Sequence, residues 1–378
     1  VKIAHLSDTH MGFRAYSKTH ISGVNQREID VMVTFRSVLD SILGHKPDLV
    51  IHAGDWFHVV RPGNHSIRHS FRALMQFQEA RGGAPFVLCG GNHDSPKNVE
   101  AGNIQDLFQE IPGVRFASNM SERFDIPEID TEILCIPSNS LVTREEVAIR
   151  PDLGRKHSVL VVHGMATQAL PKAVDLTHAD FDVNDLHTHL FTYTALGDYH
   201  NFAEYAPNCC FSGSTDYTTT NIWDELDHPK GWVEFSTEVG QLRHVAVPTR
   251  KVYDLPAIDA GDMSIEQIIA AMDANAQVEG EPIVRQKISN VHPADRRLLF
   301  QGSTYREIVS RCLNYQVVTT PPLRDRGTGE ITSEAPAEAT TIEGLWEVHA
   351  KAISLPAGVD RDEFIGQGLG LLKEAANG

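Results

Sequence analysis

The chain is poor in positive charge, in cysteine and in long apolar runs. Against 50 Asp and Glu it has 33 Lys and Arg, a formal net charge of -17 over 378 residues. That excludes a protein coated in basic surface and confines any nucleic-acid contact to a local patch or to bound cations. The five cysteines (Cys89, Cys135, Cys209, Cys210 and Cys312) are odd in number, scattered and without a CxxC pair. A disulfide framework and a zinc knuckle are both excluded by that usage, which fits a reduced, cytoplasmic protein. No apolar run approaches the ~20 residues of a membrane span. The first residues already read as a strand, so neither a span nor a signal peptide is expected. Long repeats and heptads are missing too, and the length predicts two or three folding units.

What the chain does carry is five short clusters of metal-liking residues: Asp8-Thr9-His10, Gly54-Asp55, Gly91-Asn92-His93-Asp94, His163-Gly164 and Gly197-Asp198-Tyr199-His200. Each follows an apolar run, at 2–6, 49–53, 85–89, 158–162 and 192–196, that predicts a buried strand. If these strands share one sheet, their carboxyl ends deliver all five clusters to one crevice, where open α/β sheets hold their sites.

Between the strands, 29–43 and 66–80 have helical spacing and 103–109 reads as a third, shorter helix. After His200 the segments 209–214, 231–235 and 241–247 read as strands of a second, more antiparallel sheet. The expected fold class is α/β: a two-sheet sandwich flanked by helices, with a smaller α/β cap domain and C-terminal helices. The expected boundaries are 1–250 for the first domain, 251–319 for the cap, 320–341 for a Pro/Thr/Glu/Gly-rich flexible linker and 342–378 for a helical segment.

The residue types in the clusters define a chemistry. Asp8 and His10 alternate along a strand end, so both face one side and can chelate one ion. A carboxylate such as Asp55 has about four lone-pair sites and can bridge two ions, which a neutral histidine cannot. Asn92 offers a neutral oxygen, and the adjacent His93 is left free as an acid or base. His163, Asp198 and His200 can complete two coordination shells. Oxygen and imidazole donors together suit Mn²⁺, Fe²⁺ or Zn²⁺. Two such ions, ~3.5–4 Å apart, would activate a hydroxide and clamp a phosphoryl group, which reads as phosphoester hydrolysis. The departing alkoxide needs a proton, and His93 is the expected donor.

The order DxH, GD, GNHD, HG and GxxH resembles the calcineurin-like metallophosphoesterase superfamily. Within it, Ile3 to Gly12, Ala53 to Phe57, Ala195 to Gly197, Phe211 to Ser214 and Lys230 to Trp232 are most similar to the SbcD-type double-strand-break repair nucleases. The resemblance is specific over roughly 1–236. It implies Asp8, His10, Asp55 and His200 on one ion, Asp55, Asn92, His163 and residue 198 on the other, and His93 as proton donor. It implies a DNA exonuclease or endonuclease with two divalent ions, Mn²⁺ first and Mg²⁺ or Fe²⁺ next. The partners it implies are DNA, a second copy of the chain in a homodimer, and an SbcC-like ABC-type ATPase docked on the C-terminal helices. One position departs from the pattern: the family reads Gly-His-x-His where this chain has Asp198. The extra negative charge there favours Mn²⁺ or Mg²⁺ over Zn²⁺.

A lone Gly-Asp or His-Gly is ordinarily just a turn, and only all five clusters in order outweigh that reading. The loop 12–27 holds Arg14, Lys18, His20 and Arg27 around Tyr16 without an acid. It reads as a phosphate-backbone contact, with Arg14, Lys18 and Arg27 as DNA-binding residues, or equally as a solvated loop. His52 is expected in the strand core or paired locally, His58, His65 and His69 in solvent rather than facing a substrate, and Trp56 with Phe57 as packing beneath the metals rather than as base-stacking platforms. The rivals to a nuclease are a small-molecule phosphodiesterase or phosphatase and a catalytically weakened repair scaffold.

Overall fold

The strands of the first half are apolar along their length because both of their faces are covered. β1 (Lys2–Leu6), β2 (Leu49–His52), β3 (Phe86–Cys89) and β4 (Val114–Ala117) lie parallel. β11 (Gly231–Ser236) pairs antiparallel with β1, and β12 (Gln241–Ala246) with β11, giving the order β12-β11-β1-β2-β3-β4. A second six-stranded sheet is built from β5 (Glu122–Ile126), β6 (Thr131–Ile136), β7 (His157–His163), β8 (Tyr193–Gly197), β9 (Ala203–Ala206) and β10 (Cys209–Phe211). Its order is β5-β6-β7-β8-β10-β9, parallel from β6 to β10. The computed structural model describes residues 1–96, 102–169, 179–293, 295–322, 346, 350 and 361–376.

Side chains alternate across each strand. Ile3, Leu49, Ile51 and Val87 face the second sheet and meet Val159, Val161 and Ala195 there. Ala4, Leu6, Val50 and Leu88 face outward onto α1 (Gln26–His45) and α2 (Asn64–Ala80) through Phe35, Leu39 and Leu74, with Trp56 of the loop after β2 in the same core. α1 starts where Asn25 accepts the Arg27 N–H and ends at Lys46, whose backbone is left-handed.

Two expectations are corrected. The strands bearing the five clusters do not share one sheet: three belong to the first and two to the second, so the clusters meet across the open end of the sandwich. The segments 231–235 and 241–247 do not form a second antiparallel sheet with 209–214. They extend the first sheet, with Lys2 opposite Ser236, while β10 joins the second in parallel with β8.

A third, parallel sheet follows, in which β15 (Ile283–Ser289) is flanked by β13 (Val252–Asp254) and β14 (Ile258–Asp259) on one edge and β16 (Asn314–Thr319) on the other. α4 (Ile265–Asn275) and α5 (Ser303–Arg311) cover it through Ile268, Met272 and Ile308. Arg250 ties this sheet's leading segment to α1 by two bonds to Asp30, at 2.5 and 2.7 Å. The chain up to Pro322 forms one unit and Leu323–Gly378 another. In the latter the helix Arg361–Ala376 carries Phe364 against the Trp346 ring, and the indole N–H donates to the Ile365 carbonyl. Most of the expected linker and of the helix at 342–353 lie outside the described residues.

Candidate metal centre

The loops after β1, β2 and β3 are stitched to those after β7 and β8. His163 Nδ1–H donates to the Ala53 carbonyl (2.6 Å), and the Asp198 N–H reaches both Asp8 carboxylate oxygens (3.2 Å each). Within the first sheet, Asp8 N–H bonds the Gly54 carbonyl and His10 N–H the Asp55 carbonyl, each at 3.0 Å. The strand-end alternation expected for Asp8 and His10 is corrected here. β1 stops at Leu6, and Asp8 and His10 sit in left-handed backbone at φ 53° and 49°. Single polar residues tolerate that conformation in turns.

Two groups of donor atoms result, and Asp55 lies between them. Asp8, His10 and His200 have ligand atoms within 4.8 Å of one another, as do Asp8, Asp55 and His163. Asp55 Oδ2 is 3.7 Å from His10 Nε2, and Asp55 Oδ1 is 3.4 Å from His163 Nε2. Around His163 Nε2 stand Asn92 Oδ1 at 3.3 Å and Asp198 Oδ1 at 3.7 Å. His10 Nε2 and His200 Nε2 face each other at 3.1 Å. His163 donates its Nδ1–H to Ala53, which turns Nε2 toward the carboxylates and makes Nε2 the nitrogen that ligates a metal once its proton is lost. Among the described residues, Asp55 Oδ2 and His200 Nδ1 are buried without a hydrogen-bond partner. Buried carboxylate oxygens and imidazole nitrogens gathered with so few donors are a poor arrangement for an empty core and a good one for cations, so the donor set fits divalent ions.

A sequence model of the calcineurin-like phosphoesterase family matches residues 1–217. The chain belongs to that family. Among this phosphoesterase's relatives is the DNA double-strand break repair protein Mre11 of Sulfurisphaera tokodaii, 31% identical over 200 residues, which are 53% of this chain and 49% of the relative. The protein of the same description from Methanococcus maripaludis is 28% identical over 244 residues, 61% and 62% of the two chains. That from Sulfolobus acidocaldarius is 25% identical over 320 residues, 79% and 78%. The phosphoesterase thus spans about half the length of the first relative and under two thirds of the second.

Burial dominates the electrostatics of the phosphoesterase site. It pushes the Asp8 carboxyl up to about 7 and Asp198 up to about 6, with Asp55 adding to both. Burial would raise Asp55 as well, but His163 and His10 outweigh it and hold Asp55 below the usual carboxylate range. His163 is the converse: burial would lower it, and Asp55, Asp198 and Asp8 hold it well above an ordinary histidine. Burial brings His10 down to about 3 and keeps His200 well below the ordinary value, so both are neutral donors.

His58, Asp94 and Lys230 take roles at the site that the sequence reading did not assign to them. His58, expected in solvent, is half-buried, stacked on His93 at 5.3 Å, with its Nδ1 3.3 Å from His10 Nδ1. It joins His10 and His93 in a third group of ligand atoms, and its only signal was the spacing Asp55-x-x-His58. His93 is exposed, bonded through Nδ1 to the His58 carbonyl (3.1 Å) and set edge-on to His10. Asp94 accepts the N–H of Gly91 (3.0 Å) and of Phe57 (3.1 Å), pinning the loops after β3 and β2 together. The buried Lys230 ammonium donates to the His200 carbonyl (2.9 Å), Ser214 Oγ (2.9 Å) and Glu225 Oε2 (2.5 Å). Trp56 and Phe57 are fully buried, and His52 bonds Thr9 Oγ1 at 2.8 Å.

The loop 12–27 divides. Arg14 is exposed, although its Nε bonds Glu28 at 2.7 Å, and Lys18 pairs with Glu281 at 2.9 Å. Arg27 does not reach the surface: 1% exposed, it bonds Asp30, Asp216 and the Tyr217 carbonyl at 2.8–2.9 Å. That corrects its expected role as a phosphate contact, because a guanidinium satisfied by two carboxylates has nothing left for a ligand.

Proposed function

We propose that this phosphoesterase is a metal-dependent DNA nuclease of double-strand-break repair. The observation that carries the proposal is Asp55, standing between two groups of donors as a carboxylate that serves two cations must. The repair role is supported by the descriptions of the relatives. Asp8, His10, Asp55 and His200 would hold one ion, and Asp55, Asn92, His163 and Asp198 the other, with Mn²⁺ preferred and Mg²⁺ or Fe²⁺ next. Such ions supply Lewis-acid activation of water and neutralise charge on the phosphoryl group. The chain supplies the rest. Ser7 Oγ and the Asp198 N–H orient the Asp8 carboxylate, the His93 N–H fixes Asp55 Oδ1 at 2.9 Å, and the exposed His93 imidazole would protonate the leaving oxygen.

The same reading takes 1–250 as the nuclease domain, 251–319 as a cap, 320–341 as a tether and 342–378 as the segment that docks an SbcC-like ABC-type ATPase. It also takes the working form as a homodimer. A catalytically weakened scaffold is favoured by one observation: Asp198, at φ 102°, puts a carboxyl where the family has an imidazole.

Purified protein incubated with linear duplex DNA and Mn²⁺ separates these readings. A nuclease degrades the DNA, and Asp55→Asn or His93→Ala slows it by about a hundredfold or more. Hydrolysis confined to a chromogenic phosphodiester points to a small-molecule enzyme. Folded protein that binds Mn²⁺ yet leaves both substrates intact is a scaffold.

A further inference from the structure

The sequence is acidic overall, yet one surface is the reverse. α1 and α2 enclose an open cleft of about 480 Å³. Arg36 of α1 and His65, Arg68, His69 and Arg72 of α2 line it, and among the described residues no acid does. The four α2 residues fall at i, i+3, i+4 and i+7, so they share one face. Arg68 and Arg72 are exposed, and among the described residues their guanidinium groups have neither an ion pair nor a hydrogen bond. Arg36 makes one bond, to the neutral Gln76 at 2.6 Å.

The placement is electrostatically awkward for the helix itself. The first turn of a helix favours Asp or Glu against its dipole, whereas α2 has no acid there and carries its basic residues in its amino-terminal half. Arg68 and Arg72 on α2, with Arg36 facing them from α1, repel one another and the dipole unless an anion sits among them, and burial beside Arg36 keeps His69 neutral rather than adding a further charge. The helix that carries the cleft's basic stripe is also tied to the loops of the metal centre. α2 begins six residues after His58, its Ser66 Oγ bonds Glu28 at 2.8 Å, and Glu28 also holds Arg14, four residues beyond His10. From His65 to Arg72 the stripe runs about 10 Å along α2.

We infer that the α1–α2 cleft is a track for the phosphate backbone of duplex DNA, leading toward the metal centre. This rests on the reading of the substrate as DNA. Arginines provide the forked donors that match phosphate oxygens, and the apolar floor leaves those charges without competing partners. Contacts of this kind position a duplex without reading its sequence.

The test uses the full chain in EDTA, where no hydrolysis occurs, and a fluorescein-labelled 30-base-pair duplex followed by anisotropy at several salt concentrations. Arg68→Gln/Arg72→Gln should weaken binding for every duplex sequence alike and flatten the slope of log affinity against log salt by about one per arginine removed. Arg297→Gln/Arg306→Gln, both exposed and outside the cleft, is the control for the same loss of net charge and should keep the wild-type slope. Circular dichroism and melting establish that each variant is folded, and Arg68→Lys/Arg72→Lys, which keeps the charge, should retain the wild-type slope. If wild-type protein binds the duplex and Arg68→Gln/Arg72→Gln matches its affinity and slope, the cleft is not the track. If wild-type protein binds no duplex in EDTA, the cleft is not a track either, and degradation of duplex DNA with Mn²⁺ then decides the DNA reading separately.

Discussion

Gly54 has no side chain to contribute, yet it sets how closely the two sheets approach at the metal centre. Its φ is +98°, and a Cβ there would lie 2.0 Å from Nδ1 of His163. That nitrogen is the one fixed on the Ala53 carbonyl, so the clash would break that bond: the ring must turn and carry Nε2 away from Asp55 and Asn92. Gly54→Ala should therefore weaken Mn²⁺ binding by about 10–100-fold, the usual effect of disturbing what orients a ligand. Strain at the left-handed position should lower stability by about 1–3 kcal/mol as well. Calorimetric titration and thermal melting measure the two effects separately. A wild-type Mn²⁺ isotherm would remove Gly54 from this role.

At the scale of elements, the loops matter more than the strands that carry them. Asp94 holds the Gly91 and Phe57 N–H groups together, and burial pushes its carboxyl up to about 7. Asp94→Ala leaves two buried N–H groups without partners, each costing about 1–3 kcal/mol. Denaturant unfolding should show that loss, with the Mn²⁺ affinity falling in parallel because the freed loops carry Asp55, Asn92 and His93. Unchanged stability would mean that water replaces the carboxylate at no cost.

The same loops mark what was legible in the sequence. Turn residues directly after β-branched runs reveal local structure, so β1, β2, β3, β7 and β8 and their clusters stood out. Which strands share a sheet depends on pairing between distant segments, and nothing local separates β11 beside β1 from a strand of the other sheet. β5, with the short alternating segment Glu122–Ile126, gave too little pattern to be seen. The burial of Arg27 was hidden for a similar reason: its partner Asp216 lies 189 residues away. His58 is separated from Asp55 by two residues, but only the fold turns it onto His93.

At the scale of the whole molecule, a chain with a net charge of -17 concentrates the buried Asp8 and Asp55 and the partly buried Asp198 at one point. Without cations the protein limits that charge by keeping protons. Asp8 and Asp198 lie above the ordinary carboxylate value, at about 7 and about 6, and His163 well above the ordinary histidine value. All three raised groups favour the protonated folded state at low pH, and that contribution is lost as pH rises through those values. Divalent ions require the opposite forms, two carboxylates and a neutral imidazole. His10 and His200 are neutral already and release nothing. Mn²⁺ affinity should therefore climb as pH passes through about 6 and about 7, and each binding event should release more protons near pH ~6 than near pH ~8. Titration calorimetry in two buffers of different ionisation enthalpy counts those protons. An affinity independent of pH, with no proton release, would mean that the carboxylates are already ionised in the ion-free protein and that the buried site tolerates their charge by some other contact.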